Sequence, residues 1–294
     1  MPQKIRARKD ALFSAGFLLP SFVLISVFSL IPIAMNCYYS FTKYNVMQKA
    51  QWVGLANYVR MLKDPVVRTS LLNTLLFTVI TVPMQTLLSL VLAAVIAEFF
   101  HNKFGDFVKS ALFVPVIASA VLIGTLFAIL LSNKGAVNLI IQLFGGRAVN
   151  WLGGTQTSMI SVCMACIWKN VGYFLVIYFA GIMDIPRPLY EAAQVDGATQ
   201  FQRFIHITMP GLSKVTYLVV TLGTIWSFQV FDMVYTMTGG GPGYSTQTLV
   251  LTIYNTAFKE YNMGYASAIA LLMFAFVMLV TGVQKLFLHG AKEG

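Results

Sequence analysis

Six apolar runs, each more than twenty residues long, constrain this chain more than any other feature: residues 12–35, 71–97, 110–131, 158–183, 215–237 and 263–283. Four carry no charge at all, while the fourth holds only Lys169 and the fifth only Asp232. A helix needs about 20 mostly apolar residues to cross the hydrocarbon core of a bilayer. Inside lipid every backbone N–H and C=O must be satisfied internally, which leaves helices and closed barrels. Runs this long exceed buried strands, so the sequence predicts an all-α integral membrane protein with six transmembrane helices across residues 12–288. Pro83 and Pro115 are expected to kink the second and third spans, because proline cannot donate to the helical ladder. Composition excludes the soluble alternative. Only 10% of residues are charged and 57% are hydrophobic, against about 25% charged in soluble domains, too few to build a wetted surface.

The formal net charge of +10 does not indicate nucleic acid, since the basic residues are scattered through connecting segments and form no dense patch. In a membrane protein such residues set orientation. Lys4, Arg6, Arg8 and Lys9 precede the first span, which predicts a cytoplasmic tail at 1–11. With six spans, the tail at 289–294, following Lys285 and holding Lys292, is cytoplasmic too, as are the connections 101–109 and 184–214. Lys43, Lys49, Arg60, Lys63 and Arg68 fall in the first external loop, against the rule. The first span resembles a signal peptide in its basic lead, but it is too long and no small-x-small cleavage site follows, so a retained anchor is expected. Cys163 and Cys166 form a C-x-x-C inside an apolar run, where they read as small packing residues rather than a redox or metal pair. Cys37 stands alone.

The loops carry local signals. Asp64-Pro65 reads as an N-cap followed by proline at the first helical position. Leu55, Tyr58, Val59 and Leu62 follow i, i+3, i+4, i+7 spacing, which predicts an amphipathic helix at the external interface. Residues 239–243, Gly-Gly-Gly-Pro-Gly, predict a tight bend after the fifth span.

The connection at 185–211 is the most informative stretch. Pro188 can open a helix, with Glu191 in its first turn near the positive dipole end. Ala192 and Ala193 keep that helix thin, and Gly197 permits a sharp turn. Phe201, Phe204, Ile205 and Thr208 form a second, partly apolar face, and Pro210 marks where the next span begins. The pattern is a short helix–turn–helix whose small residues admit a close partner; a loop resting on lipid headgroups fits the same residues.

Glu191-Ala192-Ala193-x-x-x-Gly197, with Ile207 and Pro210 downstream, resembles the EAA loop of binding-protein-dependent ABC importer permeases. Leu19-Pro20, the segment Trp52 to Tyr58, Thr238 to Gly243, and Tyr265 to Ile269 are similar to the MalF-like carbohydrate branch, so the likeness covers nearly the whole chain in order. Met209 stands where that pattern usually has leucine, and Ser213–Lys214 where a second proline often stands. The resemblance implies a permease subunit in a bacterial or archaeal cytoplasmic membrane, surrounded by lipid and paired with a homologous second permease. Each EAA loop would dock in a cleft of an ATP-binding subunit. An extracytoplasmic solute-binding protein would deliver the sugar. ATP and its magnesium ion would bind those ATPases, with no cofactor in this chain. No G-x-x-x-x-G-K-[ST] phosphate loop occurs in the sequence, which fits that division of labour.

Candidates for the solute path are the polar and aromatic residues within two spans: Trp168, Lys169, Asn170 and Tyr173 in the fourth; Trp226, Ser227, Gln229 and Asp232 in the fifth. Flat aromatic faces cover sugar C–H patches while amides and charges bond hydroxyls, and a charge at membrane depth must face a cavity or a partner. Asp232 also fits an interfacial position near the outer end of its helix. An ion-driven transporter would show more intramembrane carboxylates than Asp232. A membrane enzyme would need clustered acids, histidines or metal ligands, but His101, His206 and His289 are far apart in sequence.

Overall fold

The computed structural model describes residues 16–100 and 103–289. The basic lead at Lys4, Arg6, Arg8 and Lys9, the first four residues of the 12–35 run, His101 and Lys292 lie outside the described residues. The chain divides into two compact units, residues 1–63 with 253–272, and residues 64–252 with 273–294.

In the first unit a single apolar helix, α1 (Gly16–Ser40), is largely exposed as far as Met35 and becomes covered in its last turn, where Ser40 is buried. It widens into a π turn at Ser26–Leu30. Pro32 stands two residues further on, and a wider turn relieves the clash between its ring and the carbonyl four residues back. A two-stranded ribbon comes next, β1 (Thr42–Lys43) pairing with β2 (Gln51–Trp52). Helix α2 (Ala56–Lys63) is tied to it: Asn57 Nδ2 donates to the carbonyls of Ser40 and Thr42, both at 2.9 Å, and Tyr58 OH bonds Ser40 Oγ at 2.7 Å. The Arg60 guanidinium lies 4.0 Å above the Tyr265 ring. Of the expected apolar face, Leu55, Val59 and Leu62 are exposed, and Met61 is the residue of α2 that is buried.

The second unit is organised on α3 (Pro65–Phe99), whose N-terminus is capped by Asp64 Oδ1 accepting from the amides of Val66 and Val67. Pro83 lies inside α3 without ending it. Ser70, Thr74, Thr78, Gln85 and Ser89 make a buried polar stripe along this helix. Lipid tails are as apolar as leucine, so helices in a membrane associate through close packing and polar contacts rather than the hydrophobic effect. The stripe supplies such contacts. Ser70 meets Thr252, Thr74 accepts from the Leu249 amide, Thr78 accepts from Ser227, and Ser89 donates to the Val171 carbonyl.

The expected third span is not one kinked helix. It is two, α4 (Lys103–Ile117) and α5 (Ala120–Leu130), meeting at 98°. The break follows Pro115, and Ser119 restarts the helix by accepting from the Leu122 amide. A short helix, α6 (Ala136–Leu143), leads into the fourth span, α7 (Thr157–Met183). Buried Asn138 closes that loop, donating to the Val149 carbonyl and accepting from the Val149 amide and the Trp151 indole. At Gly172 a Cβ would strike the backbone of Leu112, so glycine sets how closely α7 crosses α4. Phe174, Leu175 and Tyr178 of α7 form the core with Leu90, Ala93 and Ile96 of α3.

The connection to the fifth span folds as α8 (Arg187–Val195) and α9 (Gln200–Gly211, with a π turn at Phe204–Thr208). α9 meets α10 (Ser213–Phe228) at 68°. The fifth run, 215–237, is interrupted rather than continuous: α10 ends at Phe228 and α11 (Asp232–Met237) follows a three-residue gap. Thr248 Oγ1 donates to the Val230 carbonyl that the gap frees, at 3.2 Å. The Gly-rich bend has positive φ at Gly239, Gly240 and Gly243 and is pinned by Asn73, which donates to the carbonyls of Tyr244 and Gln247. Two helices complete the chain, α12 (Leu249–Tyr254) and α13 (Met263–His289). Among the described residues four helices suffice in length and composition to cross a membrane, and the two bent pairs raise the number to six.

Candidate functional site

The 185–211 connection forms a hairpin of two short helices. α8 starts at Arg187 with Pro188 in its first turn. Glu191 is therefore its fifth residue, one position further in than expected and just past the first turn, and the helix dipole acts on it only weakly. α8 ends in a Schellman motif: Ala198 N–H bonds the Ala193 carbonyl at 2.9 Å and Gly197 N–H bonds Gln194 at 3.1 Å. Gly197 sits at φ +76°, the left-handed conformation this motif requires and glycine adopts without strain. α9 opens with a capping box. Thr199 Oγ1 accepts from Gln202 N–H, and Gln202 Oε1 accepts from Thr199 N–H at 2.7 Å. The Thr199-x-x-Gln202 spacing announces this box in the sequence.

Side-chain contacts brace the hairpin. Tyr190 OH and Thr208 Oγ1 are 2.9 Å apart, joining α8 to α9. Arg203 Nη2 reaches Glu98 Oε1 at the end of α3, at 3.1 Å. Glu191, Ala192, Gly197 and Pro210 are exposed, and Ala193 is half-buried. Val195 at 88% and Phe201 at 70% exposure are apolar groups uncovered on the same hairpin. A groove of about 730 Å3, lined by Val91, Phe99, Arg187, Tyr190, Arg203 and Phe204 among others, separates the hairpin from the ends of α3 and α7.

The candidate path residues separate by the elements that they meet. Tyr173 and Trp226 meet, their ring centroids 5.0 Å apart, with Phe174 5.4 Å from Trp226. Gln229, the first residue of the gap that follows α10, and Asp232, in the first turn of α11, are both exposed. Asn170 and Ser227 point to α3 instead: Asn170 Nδ2 lies 3.5 Å from Gln85 Oε1, and Ser227 Oγ donates to Thr78 Oγ1 at 2.9 Å. Trp168 packs on Phe127 of α5. Lys169 Nζ donates to the Val116 carbonyl at 3.3 Å, capping the C-terminus of α4 where the third span breaks. Sequence reasoning missed Gln85 and Thr78. Their signal was the serine–threonine spacing of four along 70–78, continued at Gln85 and Ser89.

The family model for the binding-protein-dependent transport system inner membrane component matches residues 54–292. The chain belongs to this family. It is a multi-pass membrane permease of the ABC importer type, not an enzyme, and ATP hydrolysis is carried by a separate subunit. The sulfoquinovosyl glycerol transport system permease protein SmoG of Agrobacterium fabrum is 34% identical, over 93% of this chain and 89% of that protein. The lactose transport system permease protein LacF of Rhizobium radiobacter is 33% identical, over 94% of this chain and 93% of that protein. The fold is that of a chain of a bacterial ABC transporter involved in the import of the acidic polysaccharide alginate, with a TM-score of 0.88, 21% identity, and coverage of 99% of this chain and 100% of that one.

Proposed function

We propose that this chain is the carbohydrate-conducting permease of its importer, with the solute path at the gap between α10 and α11 and the coupling contact at the 185–211 hairpin. The observation that carries the reading is the Tyr173–Trp226 ring pair at the last turn of α10, with an exposed amide, Gln229, and an exposed carboxylate, Asp232, three and six residues further along the chain. An aromatic face with polar groups at its edge suits a sugar. Trp168, Lys169, Asn170 and Ser227 act in this reading as support, through their contacts with Phe127, Val116, Gln85 and Thr78. The relatives named for lactose and sulfoquinovosyl glycerol support the solute class.

Glu191, Ala192, Ala193, Gly197 and Pro210 form the contact with an ATP-binding subunit. Their exposure beside uncovered Val195 and Phe201 gives an apolar centre with a charge at its edge, the usual anatomy of a protein interface. ATP and Mg2+ are held by that subunit. A second, homologous permease completes the path, and an extracytoplasmic solute-binding protein supplies the sugar; a permease of the same fold occurs in a transporter in complex with an alginate pentasaccharide-bound periplasmic protein. Both termini and the hairpin face the cytoplasm, on the strength of Lys4, Arg6, Arg8 and Lys9.

The test is ATP hydrolysis by the assembled complex in proteoliposomes. Sugar with its binding protein should stimulate it, and Trp226→Ala should lower stimulation and uptake together. Hydrolysis indifferent to every sugar that the binding protein holds would remove the carbohydrate reading.

A further inference from the structure

Arg203 is an unusual member of the hairpin. Its side chain is only 16% exposed, yet the groove beside it is open, and its one ionic contact among the described residues is Glu98, 105 residues earlier in sequence, at the last turn of α3. Arg203 Nε is buried with no hydrogen-bond partner among the described residues, so among them the Nη2–Oε1 contact carries the charge compensation of a largely buried guanidinium. Removing one member of such a pair leaves the other uncompensated, and the hairpin would shift to resolvate it. Higher up, α3 touches the proposed solute path through the other part of its surface. Gln85 faces Asn170 and abuts Gly223 of α10, and Thr78 accepts from Ser227 one residue from the end of α10. Twenty residues of helix, about 30 Å at 1.5 Å per residue, join Glu98 to Thr78. Helices transmit displacement over such distances because they are stiff along their axis, and two packed arrangements of one element are what coupling requires.

We propose that Glu98 and Arg203 are positioning residues that latch the hairpin to the foot of α3, so that displacement of the hairpin is delivered through α3 to the gap after α10. The proposal rests on the reading of the hairpin as the coupling element. Tyr190 and Thr208 hold α8 and α9 together, so that the hairpin moves as one piece and Arg203 passes the motion to α3.

The experiment uses the complete transporter, purified with its partner subunits and reconstituted, and reads solute moved per ATP hydrolysed. Arg203→Glu and Glu98→Arg should each lower that ratio by at least about twofold, the scale of mutations that alter coupling between sites. The double exchange, Glu98→Arg with Arg203→Glu, should recover it, and Arg203→Lys should lose less than Arg203→Glu. A merely structural role predicts that the single reversals lower assembly or thermal stability while the complexes that do form keep the wild-type ratio of solute moved per ATP. If a single reversal blocks assembly, assembly and transport in the double exchange are read instead, and failure to recover them overturns the latch. Wild-type ratios in both single variants also overturn it. Gly197→Val in parallel separates the two readings. If Gly197→Val uncouples and the charge reversals do not, the latch alone is wrong; if Gly197→Val couples normally, the hairpin is not the coupling element and the latch falls with it.

Discussion

Lys169 shows how much a single residue's role depends on which face of its helix it occupies. From sequence it is an ammonium at membrane depth that needs a cavity or a partner. In the structure its partner is a carbonyl, that of Val116, at the C-terminal end of α4. A cation at this end of a helix meets the negative pole of the dipole, worth about 0.3–1 kcal/mol when exposed and up to about 2 when partly buried. It also bonds one of the carbonyls that a helix end leaves free. We therefore expect Lys169→Met to lower the thermal stability of the purified complex and its maximal uptake rate, with Lys169→Arg retaining most of both. Half-saturating solute concentration should stay within about twofold, because a residue that shapes the wall changes rate more than binding. A large rise in that concentration with unchanged stability would make the ammonium a direct solute ligand. Tyr173 with Trp226, Asn170 with Gln85 and Ser227 with Thr78 were legible as residue types and illegible as neighbours. The spans are apolar on all sides, so no amphipathic stripe in the sequence says which side chains of α7 turn toward α10 and which toward α3.

At the scale of elements, the hairpin was the most readable part of the chain. Its proline, alanines, glycine and capping residues each act within a few positions, and local chemistry is what a sequence records directly. Gly197 carries the prediction. At φ +76°, any side chain at this position has its Cβ close to the following carbonyl, at a cost of about 1–2 kcal/mol, and a β-branched one does worse. No other atom would crowd a Cβ there, so the strain falls on the backbone alone. Gly197→Val should break the Schellman motif and misdirect α9, while insertion proceeds because no apolar run changes. Uptake should collapse, with the ATPase subunits either lost or hydrolysing ATP without transport. Glu191→Ala should reduce uptake by less than about fivefold, as an exposed ion pair contributes little. Coupled transport at wild-type levels in Gly197→Val would dissociate the hairpin from coupling. Pro115 signalled a bend near 118–119, but neither the full break there nor the one at 229–231 was legible, because both lie inside long apolar runs. Composition reports that a segment belongs in the membrane; it does not report the tertiary contacts, Lys169 on Val116 and Thr248 on Val230, that let the backbone leave its helix there.

At the scale of the whole molecule, the sequence carries the count of crossings well and their direction weakly. Six crossings, or four if both bent pairs turn back, would put both tails on one side of the membrane. The side is set by the basic residues, and these disagree: Lys4, Arg6, Arg8 and Lys9 argue for a cytoplasmic N-terminus, while five basic residues between positions 43 and 68 fall in a loop this places outside. Charges within about 15–20 residues of the first span weigh most in orientation, and the resemblance of 185–211 to a loop that meets an ATP-binding subunit requires the same side. Two exposed positions test the outcome. Phe144, 89% exposed, ends the short helix between the third and fourth spans and should be external, whereas Thr199, exposed in the hairpin, should be internal. With Cys37, Cys163 and Cys166 replaced by alanine, Phe144→Cys should react with an impermeant thiol reagent on intact cells. Thr199→Cys should react only after the membrane is opened. The reverse pattern would invert the molecule, place the hairpin away from ATP, and leave Glu191 and Gly197 without a partner to drive them.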